Sequence, residues 1–175
     1  MKIKTTVILQ VLRLLALLAF VGFTIEAGSI LISFIVSFFN PDSAKNIYKG
    51  LDLHQLKAYG DWAYYLAVIF LFSIAALKAQ VWQKVLNMLS HLKMDNPFQP
   101  QMMQFLTRVS NVLIAIWATG FLYNILAGFV NKRTGGELLQ IIDADNFLFM
   151  AGLVFIITQV FKRGMEIQLE NELTV

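Results

Sequence analysis

The chain contains no cysteine. Disulfides and thiolate metal sites are therefore excluded, and cysteine usage says nothing about redox compartment. Only two histidines occur, His54 and His91, and the topology read below puts them on opposite sides of a membrane. That leaves no metal cluster or haem pair, so no metal and no cofactor is expected. Three prolines give few places to interrupt a helix. Charged residues make up 14% of the chain, against about 25% in soluble domains. No glycine-rich phosphate loop is present, because Gly135-Gly136 stands alone as a turn. No Ser–His–acid set falls on one side with supporting signals. No basic helix is dense enough to bind DNA, so direct nucleic-acid contact is not expected. The residues nominate no catalytic group, and the chain reads as non-enzymatic.

What is present is hydrophobic. Of 175 residues, 58% are hydrophobic, and the mean hydropathy is +0.65. A membrane-spanning helix needs about 20 apolar residues. The runs 7–39, 62–79 and 111–130 meet that length, and 146–161 meets it if Ile141 or Ile142 begins the span. The first run follows Lys2 and Lys4 as a signal peptide would. It is more than twice a normal signal core, and no clean A-x-A site follows, so it is read as a retained helix. Four spans leave little for a second domain. The expectation is one all-α domain over residues 1–175, a polytopic four-helix membrane bundle with spans at about 12–38, 62–79, 111–130 and 144–162.

Basic residues sort by side. Lys2, Lys4, Arg13, Lys78, Lys84, Lys93, Arg108, Lys162 and Arg163 fall on one set of segments, and Lys45, Lys49, Lys57, Lys132 and Arg133 on the other. Lysine and arginine excess marks the cytoplasmic side. Both termini and the central turn are then cytoplasmic, with outer loops near 40–60 and 131–145. Asn40-Pro41-Asp42 is expected to stop the first helix. Asp61 is placed to cap the second, and Asp145 or Asn146 the fourth. Trp62, Tyr64 and Tyr65 sit where an interfacial aromatic belt would lie.

The stretch 62–130 is too long for two spans and reads as a hairpin. Its arms extend into the cytosol over about residues 80–110, turning at Asp95-Asn96-Pro97-Phe98. Asn96 is pushed out of helical geometry by Pro97, and Pro100 suits the first turn of the next helix. Beyond Lys78 the pattern is amphipathic. Val81, Val85, Met88 and Leu92 form one stripe, with Leu89 beside it; Gln80, Lys84, Asn87 and His91 form the other side. Met102, Met103, Phe105, Leu106 and Val109 supply apolar surface across the turn. A C-terminal helix at about 163–173 continues the theme, with Met165, Leu169 and Leu173 against Glu166, Glu170 and Glu172. These stripes either pack on one another or receive a cytosolic partner. Methionine-rich surfaces suit adaptable binding, though methionine is also ordinary core filler.

Inside the apolar spans the one acidic residue is Glu26. An intramembrane carboxyl is costly and defaults to a functional hypothesis. Gly22, Ser29 and Ser33 share its face, and Trp117, Gly120, Asn124 and Gly128 make a similar small-and-polar stripe on the third span. The expected arrangement sets Glu26 and Ser29 against Trp117 and Asn124, with Tyr123 nearby. Three roles are open to Glu26: a satisfied packing group, a ligand or proton site, or a carboxylate facing water in the outer leaflet. Arg13, at the inner edge, is expected to snorkel toward lipid headgroups.

Two motifs resemble a known family. They are the Asn96-Pro97-Phe98 turn and the ending Gly164-x-Glu166-x-Gln168-x-Glu170-Asn171-x-Leu173-Thr174-Val175. Together with four spans, they resemble the bacterial membrane family called domain of unknown function 2975, over nearly the whole chain. Genes of that family often lie beside a small helix-turn-helix regulator. The resemblance therefore implies a non-enzymatic inner-membrane protein that binds or restrains such a cytosolic regulator. The docking surface would comprise Asn96, Pro97, Phe98, Met165, Glu166, Leu169 and Glu170. Two alternatives stand beside it: a small-molecule or lipid sensor or transport accessory using a cavity near Glu26, and a structural subunit of a larger assembly, including a homo-oligomer.

Overall fold

The computed structural model describes residues 2–92 and 99–173. Four long helices dominate: α1 (Lys2–Val36), α3 (Asp61–His91), α4 (Pro100–Thr134) and α5 (Asp145–Leu173). A short α2 (His54–Tyr59) and a 3-10 turn (Pro41–Lys45) lie between α1 and α3. No strand occurs among the described residues. All four long helices carry segments long and apolar enough to cross a membrane. The expected all-α four-helix bundle is therefore what the chain forms.

The helices pack in a row. α1 lies on α3, α3 on α4, and α4 on α5, each neighbour antiparallel to the last. The N-terminal half of α1, the end of α3, the start of α4 and the end of α5 meet at what we call the turn end. The opposite, loop end carries residues 37–60 and 135–144.

The helix boundaries follow local chemistry. Pro100 opens α4, where a missing N–H costs nothing. Gly135 closes α4 in the left-handed region (φ 68°, ψ 15°) and donates its N–H to the Asn131 carbonyl at 3.0 Å. Lys132 and Arg133 in that last turn favour the helix dipole. One expectation is corrected at α3: Gly60 holds the cap position without a side-chain bond, and Asp61 is the first helical residue. Its carboxylate still suits the positive end of the dipole.

Residues 37–60 are more than a connecting loop. Ala44, Ile47, Leu53 and Leu56 are buried and share a cluster with Tyr64, Ala67 and Val130. Ser33 Oγ donates to the Ile47 carbonyl at 2.9 Å, and Lys57 Nζ donates to the Ser37 carbonyl. Phe34, Phe38 and Tyr65 pack edge-to-face and tilted alongside, with centroids 5.0–5.8 Å apart. The loop thus forms a lid tied to the ends of α1 and α3.

The four long helices do not share one level. Gly120 faces Ala144 so closely that a Cβ on Gly120 would lie 2.6 Å from the Ala144 Cβ. Gly120 is about 20 Å along α4 from its loop-end terminus. α5 therefore starts deep in the bundle. The missing part of its column is filled by a non-helical segment that descends along α4. Between the levels of Asn131 and Gly120, α4 rises about 16 Å. The descending chain covers that height from Leu139 to Ala144, which requires nearly full extension.

Candidate functional site

Two sets of polar residues were expected to act, one within the spans and one at the turn end. Within the spans, the expected pairing of Glu26 and Ser29 with Trp117 and Asn124 does not form. Among the described residues, α1 packs on α3, and its backbone does not closely approach that of α4. Asn124 is engaged elsewhere: its Nδ2 donates to the Ile142 carbonyl at 2.8 Å, and its Oδ1 accepts from the Ile142 N–H at 2.9 Å. Trp117 stacks on Phe121 with centroids 5.9 Å apart, one turn along its own helix. The physical reason is the backbone of the descending segment. Non-helical backbone among apolar spans needs protein partners for its polar groups, and a carboxamide supplies a donor and an acceptor at once.

Asn131 performs the same operation one level higher. Its Nδ2 donates to the Leu139 carbonyl at 2.7 Å, and its Oδ1 accepts from the Leu139 N–H at 3.0 Å. Asn124 and Asn131 are seven residues apart, two turns of helix, and so share one face. Gly120 continues that face and lets Ala144 come close. The sequence reading missed Asn131 entirely. A signal was there: two asparagines at i and i+7 in the largely apolar second half of α4.

Glu26 is half-buried on α1 and forms no ion pair among the described residues. Ser29 is half-buried beside it, whereas Gly22 faces open space. Three residues before Glu26, the Phe23 ring lies 5.6 Å from Lys78 Nζ, and Phe147 in the first turn of α5 lies 5.9 Å from the same ammonium. Lys78, expected at the cytosolic edge, lies level with the start of α5, between two aromatic faces.

At the loop end, Asp52 Oδ1 accepts from the His54 N–H at 2.8 Å, and His54, Lys57 and Asp61 line a shallow pocket. Asp143 lies on the descending segment and accepts from Asn146 at 2.7 Å. No group of three or more histidine or acidic residues is placed to hold a metal among the described residues.

The turn end is where the amphipathic stripes meet. Leu89, Met102, Leu106 and Val109 are buried, and Val81 and Val85 pack against the cluster of Val109, Val112, Leu113 and Ala151. The stripes of α3 and α4 thus cover one another and α5. Gln101, Gln104, Arg108 and Asn87 remain exposed. The His91 ring lies 5.5 Å from that of Phe105. Arg13 reaches across from α1, donating from Nε and Nη2 to the Leu89 carbonyl at 3.2 and 2.6 Å. That carbonyl belongs to the last turn of α3, whose acceptors have no partner within the helix. A cation there also suits the negative end of the dipole. Arg13 is therefore an interhelical cap, which its expected snorkelling did not foresee.

α5 continues past this level. Ala151 accepts from Ser110 Oγ at 3.1 Å, and α4 begins about 15 Å beyond Ser110 while α5 runs on for about 33 Å. On that projecting part Met165 and Glu166 are half-buried, Leu169 and Glu170 are exposed, and Arg163 Nη1 pairs with Glu166 at 3.0 Å. The remaining docking residues, Asn96, Pro97 and Phe98, lie outside the described residues.

Four long apolar helices, each antiparallel to the neighbour it packs on, define a multi-pass membrane bundle. A family model described as a protein of unknown function (DUF2975) matches residues 48–175, and the chain belongs to that family. No curated protein and no solved structure matches it.

Proposed function

We propose that the protein is a non-enzymatic component of the bacterial cytoplasmic membrane, with both termini and the central turn in the cytosol, that binds or restrains a cytosolic partner at its turn end. The observation that carries this reading is the projection of α5. A helix that outruns its neighbour by about 18 Å, with Ile167 and Leu169 exposed, offers an amphipathic surface beyond the bundle. The orientation rests on the excess of lysine and arginine at that end. The partner class, a small helix-turn-helix regulator, rests on the family resemblance.

The test is co-purification of such a regulator, encoded beside the gene, with the full chain and with a chain lacking residues 164–175. Association should require those residues. No association with either form would sink the reading. A second reading, a subunit of a larger membrane assembly, is favoured by Gly22, Gly128 and Gly152, each facing open space on the outside of the bundle. Such positions allow close helix approach between chains. Mass measurement in lipid nanodiscs separates the two, because only the assembly reading requires a stable multiple of the monomer.

A further inference from the structure

At the turn end, α1 and α3 line a shallow, open cavity of about 520 Å³. Its polar lining is Gln10, Arg13, Asn87 and Ser90; its apolar lining is Leu14, Leu17 and Leu86. Along α1 the polar pair precedes the two leucines. Along α3 the leucine precedes the polar pair. Because the helices are antiparallel, both gradients point the same way in space. The polar side faces the end of the bundle and the apolar side faces its centre. We propose that this cavity binds an anionic glycerophospholipid, with the phosphate on Arg13 and the first acyl carbons on Leu14, Leu17 and Leu86. The inference is independent of the docking partner above.

Three features argue for that occupant. The bond from Arg13 to Leu89 pins the guanidinium at the cavity wall and uses only part of its five donors. The rest suit a phosphate, which guanidinium groups bind in fork geometry. Gln10 and Asn87 add exposed carboxamides at the same level. A free phosphate would satisfy the polar side alone, leaving Leu14, Leu17 and Leu86 without an occupant. A phospholipid satisfies both sides, and basic pockets between spans on the cytoplasmic side are suited to anionic headgroups.

Native mass spectrometry of the full chain in detergent tests this, with phosphatidylglycerol, phosphatidylcholine and inorganic phosphate as separate probes. Phosphatidylglycerol should be retained about fivefold over phosphatidylcholine, and millimolar phosphate should not displace it. Arg13→Gln should bring that ratio close to one. If that variant fails to fold, Gln10→Leu combined with Asn87→Leu keeps the Arg13–Leu89 bond and should lower the ratio about twofold. Lys162→Gln removes an exposed charge outside the cavity and should leave the ratio unchanged. Equal retention of the two lipids overturns the proposal. So does displacement by inorganic phosphate, an equal loss in Lys162→Gln, or an unchanged ratio in whichever cavity variant folds.

Discussion

The two halves of the bundle are held by different forces. Toward the turn end, α3, α4 and α5 pack helix on helix through Ile74, Val109, Val112, Leu113, Ile116 and Ala151. Long-range side-chain bonds there include Ser110 to Ala151 and Arg13 to Leu89. Toward the loop end, α1, α3 and α4 surround Tyr64, Ala67, Tyr123 and Ala127, and the fourth column is a descending chain. That column is held by two asparagines, four hydrogen bonds to two backbone units. A helix satisfies its own peptide groups, so its neighbours need supply only shape. An extended segment brings unsatisfied peptide groups, so its neighbour must supply donors and acceptors.

The sharpest way to break this contrast is to remove apolar volume from one half and amides from the other. Ile116→Ala opens a cavity in the helical half, where Ile116 is fully buried; the expected loss is about 2–5 kcal/mol, measured by denaturant unfolding in detergent. Asn124→Leu orphans the Ile142 N–H and carbonyl. Its expected loss is about 2–4 kcal/mol, and hydrogen exchange should rise in residues 138–144 while the α4–α5 contact region stays protected. If exchange rises uniformly, the two halves are one cooperative unit and the contrast fails.

Glycine substitutions sharpen the comparison at smaller scale. Gly120→Ala pushes against Ala144, an overpacking cost of about 1–3 kcal/mol. Gly128→Ala, two turns away and facing open space, should instead be neutral or gain up to about 1 kcal/mol from helix propensity. A thermal melt of both variants decides it, since equal shifts would mean that Ala144 does not press on Gly120. Ser110→Ala, which removes one bond to α5, should cost about 0.5–1.5 kcal/mol.

The smallest effect lies in the lid. Lys45 hydrogen-bonds Asp42 at 2.6 Å and holds its carboxyl below the ordinary value, while Asp42 raises the Lys45 ammonium in return. Asp42 is the depressed group, so its contribution is complete above the unfolded carboxyl pKa and fades as pH falls through the folded one. The Lys45 contribution is complete below its unfolded pKa and fades as pH rises through the folded one. Both groups are exposed, so the pair is worth little. Lys45→Ala should flatten the acid limb of a stability–pH profile, and an unchanged acid limb would remove the pair from the account of the lid.

Much of the fold was legible beforehand, and the reasons are local. Pro100 opening α4 and Gly135 closing it follow from backbone rules that need no tertiary contact. The stripe of Val81, Val85, Met88 and Leu92, with Leu89 beside it, followed from helical spacing. The polar residues inside the bundle were harder. Asn124 looked like a partner for Glu26 because both stood on small-residue faces, yet such faces carry no label for the helix they meet. Lys78 was legible as a charge at the end of an apolar run, but its contacts with Phe23 and Phe147 depend on which helices flank α3.

The sequence by itself determined that the chain is helical and how many of its helices could cross a membrane. Those properties are sums over residues meeting lipid or water, and each residue contributes wherever its neighbours are. Only the tertiary structure decided which helices touch, that α5 begins about 20 Å deep, and that Asn124 and Asn131 serve a backbone rather than Glu26. Between apolar helices in lipid no hydrophobic force selects the pairing. Selection falls to close packing and hydrogen bonds, which exist only once the partners are in place.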